Sequence, residues 1–176
     1  MSKLEQLLSQ YAAYHLDRKN VFTHFIGIPL IVFSIICLTA RAGIVVSNIE
    51  LTLAMLILGL TILYYLSLDW IFAAIMAVVF IIAYPFAYQI AQWSMTGWLA
   101  ASIGIFVVGW IFQFVGHFYE KKKPAFMDDI IGLAIGPLFV LAELVFLLGF
   151  RKSLEQRMLN EAHQLRAEMD RKTNLA

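Results

Sequence analysis

Three of the four histidines in this 176-residue chain fall where apolar runs meet charged sequence. His15 and His24 flank the start of the first apolar run, and His117 ends the fourth. Neutral imidazole is the commonest metal ligand in proteins, and a nitrogen-rich set of ligands suits iron or zinc better than magnesium or calcium. We therefore expect these three side chains to hold metal, whereas His163 lies in a charged tail and is expected to face solvent.

Two further polar residues lie about one helical turn from His117, one on each side of it in the sequence. Glu120 lies three residues after it, and three-residue spacing places two side chains on one helix face, where a carboxylate and an imidazole can reach one metal ion. Gln113 lies four residues before His117 and is expected to orient its ring from outside the set of ligands.

His15 and His24 are nine residues apart, so one continuous helix would point them in opposite directions. They can converge only if the chain bends between them, and the polar stretch from Asp17 to Asn20 is the predicted position of the bend. Asn20 would then stand at or near the N-cap of the next helix, four residues before His24 and on the same face. Asn20 is therefore a second residue expected to orient a ligand ring.

Each of these residues also has an ordinary structural interpretation. A histidine at a membrane interface is often an amphipathic side chain with one wet end. Lys121, Lys122 and Lys123 are equally typical of a cluster solvated among lipid headgroups. Glu143 lies inside an apolar run, which makes it a functional candidate, although hydrogen bonding to interrupted backbone would also account for it.

The elements that position these residues are predicted to be membrane helices. Hydrophobic residues make up 61% of the chain and charged residues 14%, and Asp69 is the only charged residue between Leu51 and Tyr119. About 20 apolar residues cross about 30 Å of hydrocarbon as a helix. The sequence therefore predicts an all-α, polytopic membrane helical bundle with four clear crossings, at Val21 to Ala40, Leu51 to Leu68, Trp70 to Ala91 and Trp98 to Phe118.

A fifth apolar run, Ile130 to Phe150, contains the helix-breaking pair Gly136-Pro137. Cytoplasmic loops carry an excess of lysine and arginine, and a fifth crossing would place the basic tail outside. We therefore expect a broken re-entrant or in-plane hairpin, which leaves every lysine and arginine except Arg41 on the cytoplasmic side. The predicted domains are a membrane domain over 1–150, beginning with an amphipathic helix, and a solvated cytoplasmic helical tail over 151–176.

Composition excludes several classes of function. The formal net charge of +1 offers no basic surface for nucleic acid. Cys37 is the only cysteine, so an intramolecular disulfide and a cysteine-based zinc site are both excluded. No glycine-rich phosphate loop is present, so no organic redox cofactor is expected.

Long ordered motifs in both histidine segments resemble the membrane-bound, iron-dependent 2-hydroxy fatty acid dioxygenases, whose fungal member helps turn phytosphingosine, a sphingolipid base, into odd-chain fatty acids. The resemblance extends over nearly the whole chain except the middle crossings and the tail. The motifs that carry it are Tyr14-His15 through Asn20 and His24 to Gly27-Ile28-Pro29-Leu30, Gly109-Trp110-Ile111-Phe112-Gln113-Phe114-Val115-Gly116-His117, Glu120-Lys121-Lys122-Lys123-Pro124-Ala125, Asp128-Asp129, Gly136-Pro137-Leu138-Phe139, and Glu143 to Phe150.

The resemblance implies that His15, His24 and His117 bind Fe(II), and that the protein converts a long-chain 2-hydroxy fatty acid and dioxygen to CO2 and the fatty acid one carbon shorter. Some members place the glutamate one residue farther from the histidine, so Glu120 is expected to support catalysis rather than to be a ligand. The lysines at 121–123 are expected to hold the carboxylate headgroup while the acyl chain lies among the crossings.

Two other classes of function stay open at this point. The chain could be a metal-free membrane scaffold or lipid-binding protein, or a small transporter whose substrate site is the interrupted segment at Gly136-Pro137. The short loops favour a bacterial cytoplasmic membrane, or the endoplasmic reticulum if the source is eukaryotic. In either membrane the active site is expected at the cytoplasmic face, in contact with membrane lipid.

Overall fold

A computed structural model of the protein describes residues 1–122 and 131–174. Within these ranges the fold is all-α apart from one short hairpin, which confirms the predicted class. The elements are α1 (Lys3–Ala12), α2 (Arg18–Thr39), β1 (Gly43–Val46), β2 (Ile49–Thr52), α3 (Leu53–Leu68), α4 (Trp70–Ala91), α5 (Met95–Glu120), α6 (Ile131–Leu147) and α7 (Lys152–Asn174).

Three helices of the described chain, α2, α4 and α5, are long and apolar enough to cross a membrane. They contain 22, 22 and 26 residues, so even the shorter two extend about 33 Å at 1.5 Å per residue. The expected crossing at Leu51 to Leu68 is shorter than predicted, because β2 occupies its first two residues and α3 has 16. The chain is a multi-pass membrane protein.

The described chain forms two compact units. Residues 26–112 make one of them, which we call the membrane unit. Residues 1–25 and the described residues from 113 onward make the other, which we call the histidine unit.

Small side chains let the helices of the membrane unit pack closely, as membrane helices generally require. Its buried cluster includes Cys37, Ala40, Ala54, Ala87 and Ala91. Large apolar side chains instead face outward, where lipid would solvate them, including Leu60, Ile81, Ile82 and Phe86.

Two charged residues of the membrane unit, Asp69 and Arg41, stand at helix ends. Asp69 joins α3 to α4 as a one-residue turn, and its carboxylate accepts from the backbone amides of Ile71 and Phe72, each at 3.0 Å. Arg41, the one cation predicted outside, donates to the carbonyls of Ala91 and Trp93 at 2.8 Å, so it neutralises the negative end of α4.

The segment Arg41 to Glu50, between the first two predicted crossings, forms most of a β-hairpin. β1 and β2 pair antiparallel, because β1 is rich in β-branched residues, which favour strands. The two turn residues Ser47 and Asn48 have positive φ angles of 50° and 67°, the conformation that a two-residue hairpin turn requires.

In the histidine unit, α6 runs without interruption through Pro137, so the predicted break at Gly136-Pro137 is wrong. A proline inside a helix costs about 3 kcal/mol, whereas each large apolar side chain that is fully buried contributes about 1.5–3 kcal/mol. The burial outweighs the cost, because one face of α6 buries Ile135, Leu138, Leu141, Ala142 and Phe146 along with other apolar residues. The 17 residues of α6 extend about 25 Å.

The chain reverses after α6, where Gly149 and Arg151 have φ angles of 88° and 53°. The returning helix, α7, packs on α1 through one face, and its other described side chains are exposed or half-buried. Leu154, Met158 and Ala162, spaced four apart, form its buried stripe. The division of the chain at residue 150 into a separate membrane domain stays a prediction.

Gly109 sets how closely α5 approaches α2 within the membrane unit. A Cβ atom at this position would lie 2.7 Å from Ile31 Cγ1 and 2.9 Å from the Gly27 carbonyl oxygen. Gly104, on the same helix, has open space where a Cβ would go.

We expect Gly109→Ala to destabilise the protein by about 1–3 kcal/mol, the usual cost of overpacking. Gly104→Ala should be neutral or slightly stabilising, because alanine is better than glycine in a helix by roughly 0.5–1 kcal/mol. Thermal unfolding of both variants in one detergent measures the difference. Equal melting temperatures would contradict the close approach.

Candidate metal centre

His15, His24 and His117, the three predicted ligands, converge within the histidine unit. Their ring centroids lie 4.4 Å (His15 to His24), 5.0 Å (His15 to His117) and 5.2 Å (His24 to His117) apart. Ring nitrogens of the three residues lie within 4.8 Å of one another, and the exposed fractions are 3%, 1% and 7%. They are the only group of three or more histidine, cysteine or acidic residues within the described ranges that is close enough to share a metal ion.

The bend that brings His15 to His24 lies between α1 and α2, a few residues earlier than predicted. α1 ends at Ala12, and α2 begins at Arg18. The carboxylate of Asp17 accepts from the backbone amide of Lys19 at 2.7 Å, as an N-cap residue does. Asp17 therefore takes the N-cap position, and Asn20 lies near it, as predicted, fully buried in the first turn of α2.

The ring orientations of His15 and His24 follow from two backbone carbonyls, each four residues earlier in the chain. Nδ1 of His15 donates to the Tyr11 carbonyl at 2.6 Å, and Nδ1 of His24 donates to the Asn20 carbonyl at 2.9 Å. A carbonyl can only accept, so each Nδ1 carries the proton and each Nε2 keeps a free lone pair.

Three buried ring nitrogens have no hydrogen-bond partner among the described residues, namely Nε2 of His15, Nε2 of His24 and Nδ1 of His117. Burying polar atoms without partners is costly. A metal ion is a partner that three convergent lone pairs can share, and a carbonyl bonded to the second ring nitrogen is the usual support for a ligating histidine. The group therefore fits a metal ion.

Burial also favours the protonation state that binds metal. It holds the pKa of His15 well below its ordinary value, because the charged imidazolium would lose its hydration. His15 is therefore neutral at neutral pH, which is the form with a lone pair to donate.

Aromatic rings that were not identified from the sequence close one side of the group. Tyr11 stacks on His15 with centroids 4.1 Å apart and planes 6° from parallel. Phe139 of α6 lies 4.9 Å from Tyr11 and 5.8 Å from His15. The four-residue spacing of Tyr11 and His15 was a signal in the sequence for the first contact, whereas nothing local indicated Phe139.

Glu120 is buried, and each of its two carboxylate oxygens already accepts hydrogen bonds from protein groups. Oε2 accepts from the Asp17 amide at 2.8 Å and from the Asn20 side-chain amide at 3.1 Å. Oε1 accepts from Arg166 of α7 at 2.7 Å. Glu120 therefore links elements around the histidines and does not belong to the converging group, and Arg166 is a partner that the sequence did not indicate.

Asn20 and Gln113 were both expected to orient ligand rings. Asn20 meets His24 through its backbone carbonyl, while its side chain bonds Glu120 and the Tyr14 carbonyl. Gln113 is only 6% exposed, and its side-chain amide nitrogen has no partner within the part of the chain that the structure describes. A Cβ at Gly116 would press on the side chains of Thr23 and Asn20, so only glycine lets α5 approach α2 so closely beside His117.

The remaining predicted site residues lie apart from the converging group. Lys122 pairs with Asp170 at 2.6 Å, and Lys121 is exposed. Lys123 lies outside the described residues. Glu143 is half-buried on α6, and His163 is exposed on α7, as expected.

Comparison with known proteins decides the family. The family model for Mpo1-like 2-hydroxy-palmitic acid dioxygenases matches residues 1–148. The chain belongs to the Mpo1-like family. This confirms the resemblance stated above, and membership makes the chain a dioxygenase.

The Mpo1-like chain is also similar to a curated protein, the 2-hydroxy-palmitic acid dioxygenase MPO1 of Saccharomyces cerevisiae. The two are 34% identical over 154 residues, which cover 86% of this chain and 85% of the yeast protein. No solved structure matches the Mpo1-like chain. All three converging histidines lie inside the family match, which ends before α7.

Removing any one of the three converging imidazoles should sharply lower the metal content of the purified protein. Each ring presents a nitrogen that nothing else in the described structure satisfies, so no neighbour can replace it. Elemental analysis of His15→Ala, His24→Ala and His117→Ala, with His163→Ala as the exposed control, makes the comparison. Full occupancy in any of the three variants would remove that residue from the set.

Proposed function

We propose that this protein uses iron to convert a long-chain 2-hydroxy fatty acid and dioxygen to the fatty acid one carbon shorter, CO2 and water. One observation carries the proposal: in a chain of the Mpo1-like family, three buried imidazoles converge, and each has a ring nitrogen without a partner among the described residues. Four electrons leave the substrate as its C1–C2 bond breaks, and dioxygen accepts four. The reaction therefore balances without an organic co-substrate.

His15, His24 and His117 are the residues that would hold the metal. The resemblance to iron-dependent enzymes and the nitrogen-only donors favour Fe(II) over magnesium or calcium. When bound, iron supplies the redox and Lewis-acid chemistry that lets dioxygen react with an organic acid. Three protein ligands leave coordination positions for other molecules.

The chain's own residues prepare this site. The carbonyls of Tyr11 and Asn20 fix the His15 and His24 tautomers before anything binds. The rings of Tyr11 and Phe139 cover His15 and exclude water on that side. Gln113 lies one helical turn before His117, and we assign its unpartnered amide to the 2-hydroxyl or carboxylate group of the substrate.

We place the substrate's carboxylate near the lysines that follow α5. Lys122 is half-buried and already forms an ion pair with Asp170. Lys121 is therefore the better candidate for the headgroup contact, and Lys123 stays a prediction. The basic residues also support the proposal that this end of the protein faces the cytoplasm, in a bacterial cytoplasmic membrane or in the endoplasmic reticulum.

A cavity of about 320 Å³ in the histidine unit is the space that we assign to part of the acyl chain. It is bounded by residues of α1, α6 and α7, including Leu7, Ile135 and Leu165. Tyr11 forms part of its wall and also stacks on His15, so one ring separates the cavity from the proposed metal site. Most of the lining residues are apolar, and Gln10, Glu168 and Lys172 are also among them. An acyl chain is the part of the proposed substrate that such a wall suits.

The alternative functions have less support. The transporter interpretation depended on an interrupted helix at Gly136-Pro137, and α6 is continuous there. A metal-free scaffold would have no use for three convergent buried nitrogens, so bound metal separates it from the proposed enzyme.

We expect the iron-loaded protein, in detergent or liposomes, to convert 2-hydroxypalmitate to pentadecanoate with no added organic cofactor. Mass spectrometry follows the product, and isotopically labelled dioxygen should place an oxygen atom in the new carboxylate. His117→Ala should be inactive and His163→Ala fully active. If iron-loaded protein leaves every 2-hydroxy acid unchanged and binds lipid equally with or without metal, the scaffold interpretation replaces this proposal.

Filling the cavity should change which acyl chain is preferred. We expect Leu165→Trp to shift the ratio of kcat/KM for 2-hydroxypalmitate over 2-hydroxydecanoate by about tenfold or more, in favour of the shorter acid. Losing the contacts of one methylene group in an apolar pocket typically lowers kcat/KM by about 10–200-fold. Leu159→Trp, on the same helix but outside the cavity lining, is the matched control. A ratio that changes equally in both variants would show that the acyl chain lies elsewhere.

A further inference from the structure

We propose that α7 holds the histidines in position, and that Arg166 is the residue through which it does so. This inference deepens the proposed function and rests on it. The family match ends at residue 148, so it does not include the helix that carries this arginine. In our proposal Arg166 is a positioning residue, because it acts on the imidazoles through other groups.

Arg166 contacts both chain segments that flank the histidine group. Nη1 donates to the Ala13 carbonyl at 2.9 Å and to Glu120 Oε1 at 2.7 Å, and Nη2 donates to the Glu120 carbonyl at 3.3 Å. Ala13 lies two residues before His15, and Glu120 lies three after His117. One guanidinium therefore joins the turn that carries His15 to the end of the helix that carries His117.

The second oxygen of Glu120 extends this link to His24. Oε2 accepts from the Asp17 amide and from the Asn20 side chain, which lie on the two sides of the start of α2. The carbonyl of Asn20 is the group that fixes the tautomer of His24. A single arginine–carboxylate pair thus connects all three ligand-bearing segments.

The pair is built for rigidity. The side chain of Glu120 is 3% exposed and that of Arg166 is 18% exposed, so water competes little for either group. Guanidinium donates several hydrogen bonds in a fixed planar fork, which the single ammonium group of lysine cannot reproduce. The three acceptors of Arg166 therefore specify an arginine and not merely a positive charge.

The same helix provides a matched control. Arg157 pairs with Glu5 at 2.7 Å and also ties α7 to α1. Glu5 lies in the first turn of α1, at the opposite end of that helix from the turn that carries His15. Loss of Arg157 removes a tie between the same two helices without removing a link to the histidines.

The experiment compares Arg166→Met, Arg166→Lys and Arg157→Met by two measurements. One is the ¹⁵N spectrum of the metal-free protein labelled on histidine, which reports whether His15 and His24 keep their protons on Nδ1. The other is affinity for Co²⁺, by titration of its visible absorption. We expect both Arg166 variants to lose the fixed tautomers and to bind cobalt about 10–100-fold more weakly, the usual cost of losing a partner behind a ligand.

Arg157→Met should lower the melting temperature and leave both measurements as in the wild type. If Arg166→Lys keeps the wild-type cobalt affinity and the wild-type tautomers, the inference is wrong. Arg166→Lys alone is sufficient for the test if Arg166→Met does not fold. If the wild-type protein binds no cobalt, the proposed metal site fails; a change of tautomer confined to the Arg166 variants would still support the positioning role. If the Arg157 and Arg166 variants change equally in tautomer and in cobalt affinity, α7 stabilises the protein in general and Arg166 has no specific positioning role.

Discussion

A carboxylate buried between helices must find a hydrogen-bond donor for each oxygen, because burying an unpaired charge is prohibitively costly. Glu120 meets this requirement with donors from three places: the turn before α2, the first turn of α2, and α7. The arrangement that satisfies the carboxylate is also the one that brings three imidazoles together. The hydrogen bonds that satisfy one buried carboxylate thus join the three segments that carry the histidines.

The orientation of the imidazoles also depends on more local contacts. Backbone carbonyls fix two of the rings, and they are available because each histidine follows them by four residues. Glycine at position 116 lets α5 approach the start of α2. None of these groups needs to touch substrate. They orient the imidazoles within the protein itself, so a metal ion that bound there would require little rearrangement.

Local patterns in the sequence were sufficient for part of this structure. Helix length and apolar composition predicted the bounds of α4 at both ends, and the histidines at the ends of apolar runs predicted the converging group. The failures are cases in which packing overrode a local rule. Pro137 was expected to break α6, but the buried face of that helix outweighs one lost hydrogen bond. Arg166 and Phe139 could not be predicted, since they meet the site only through tertiary packing.

The shortness of α3 has a consequence for the surrounding lipid. Its 16 residues extend about 24 Å, whereas the hydrocarbon core of a typical bilayer is about 30 Å thick. Such hydrophobic mismatch is relieved by thinning of the bilayer around the helix, at a cost of fractions of a kcal/mol for each ångström. A bilayer that α3 crosses would thin by up to about 6 Å beside that helix, whereas α2, α4 and α5 are long enough to cross the full thickness.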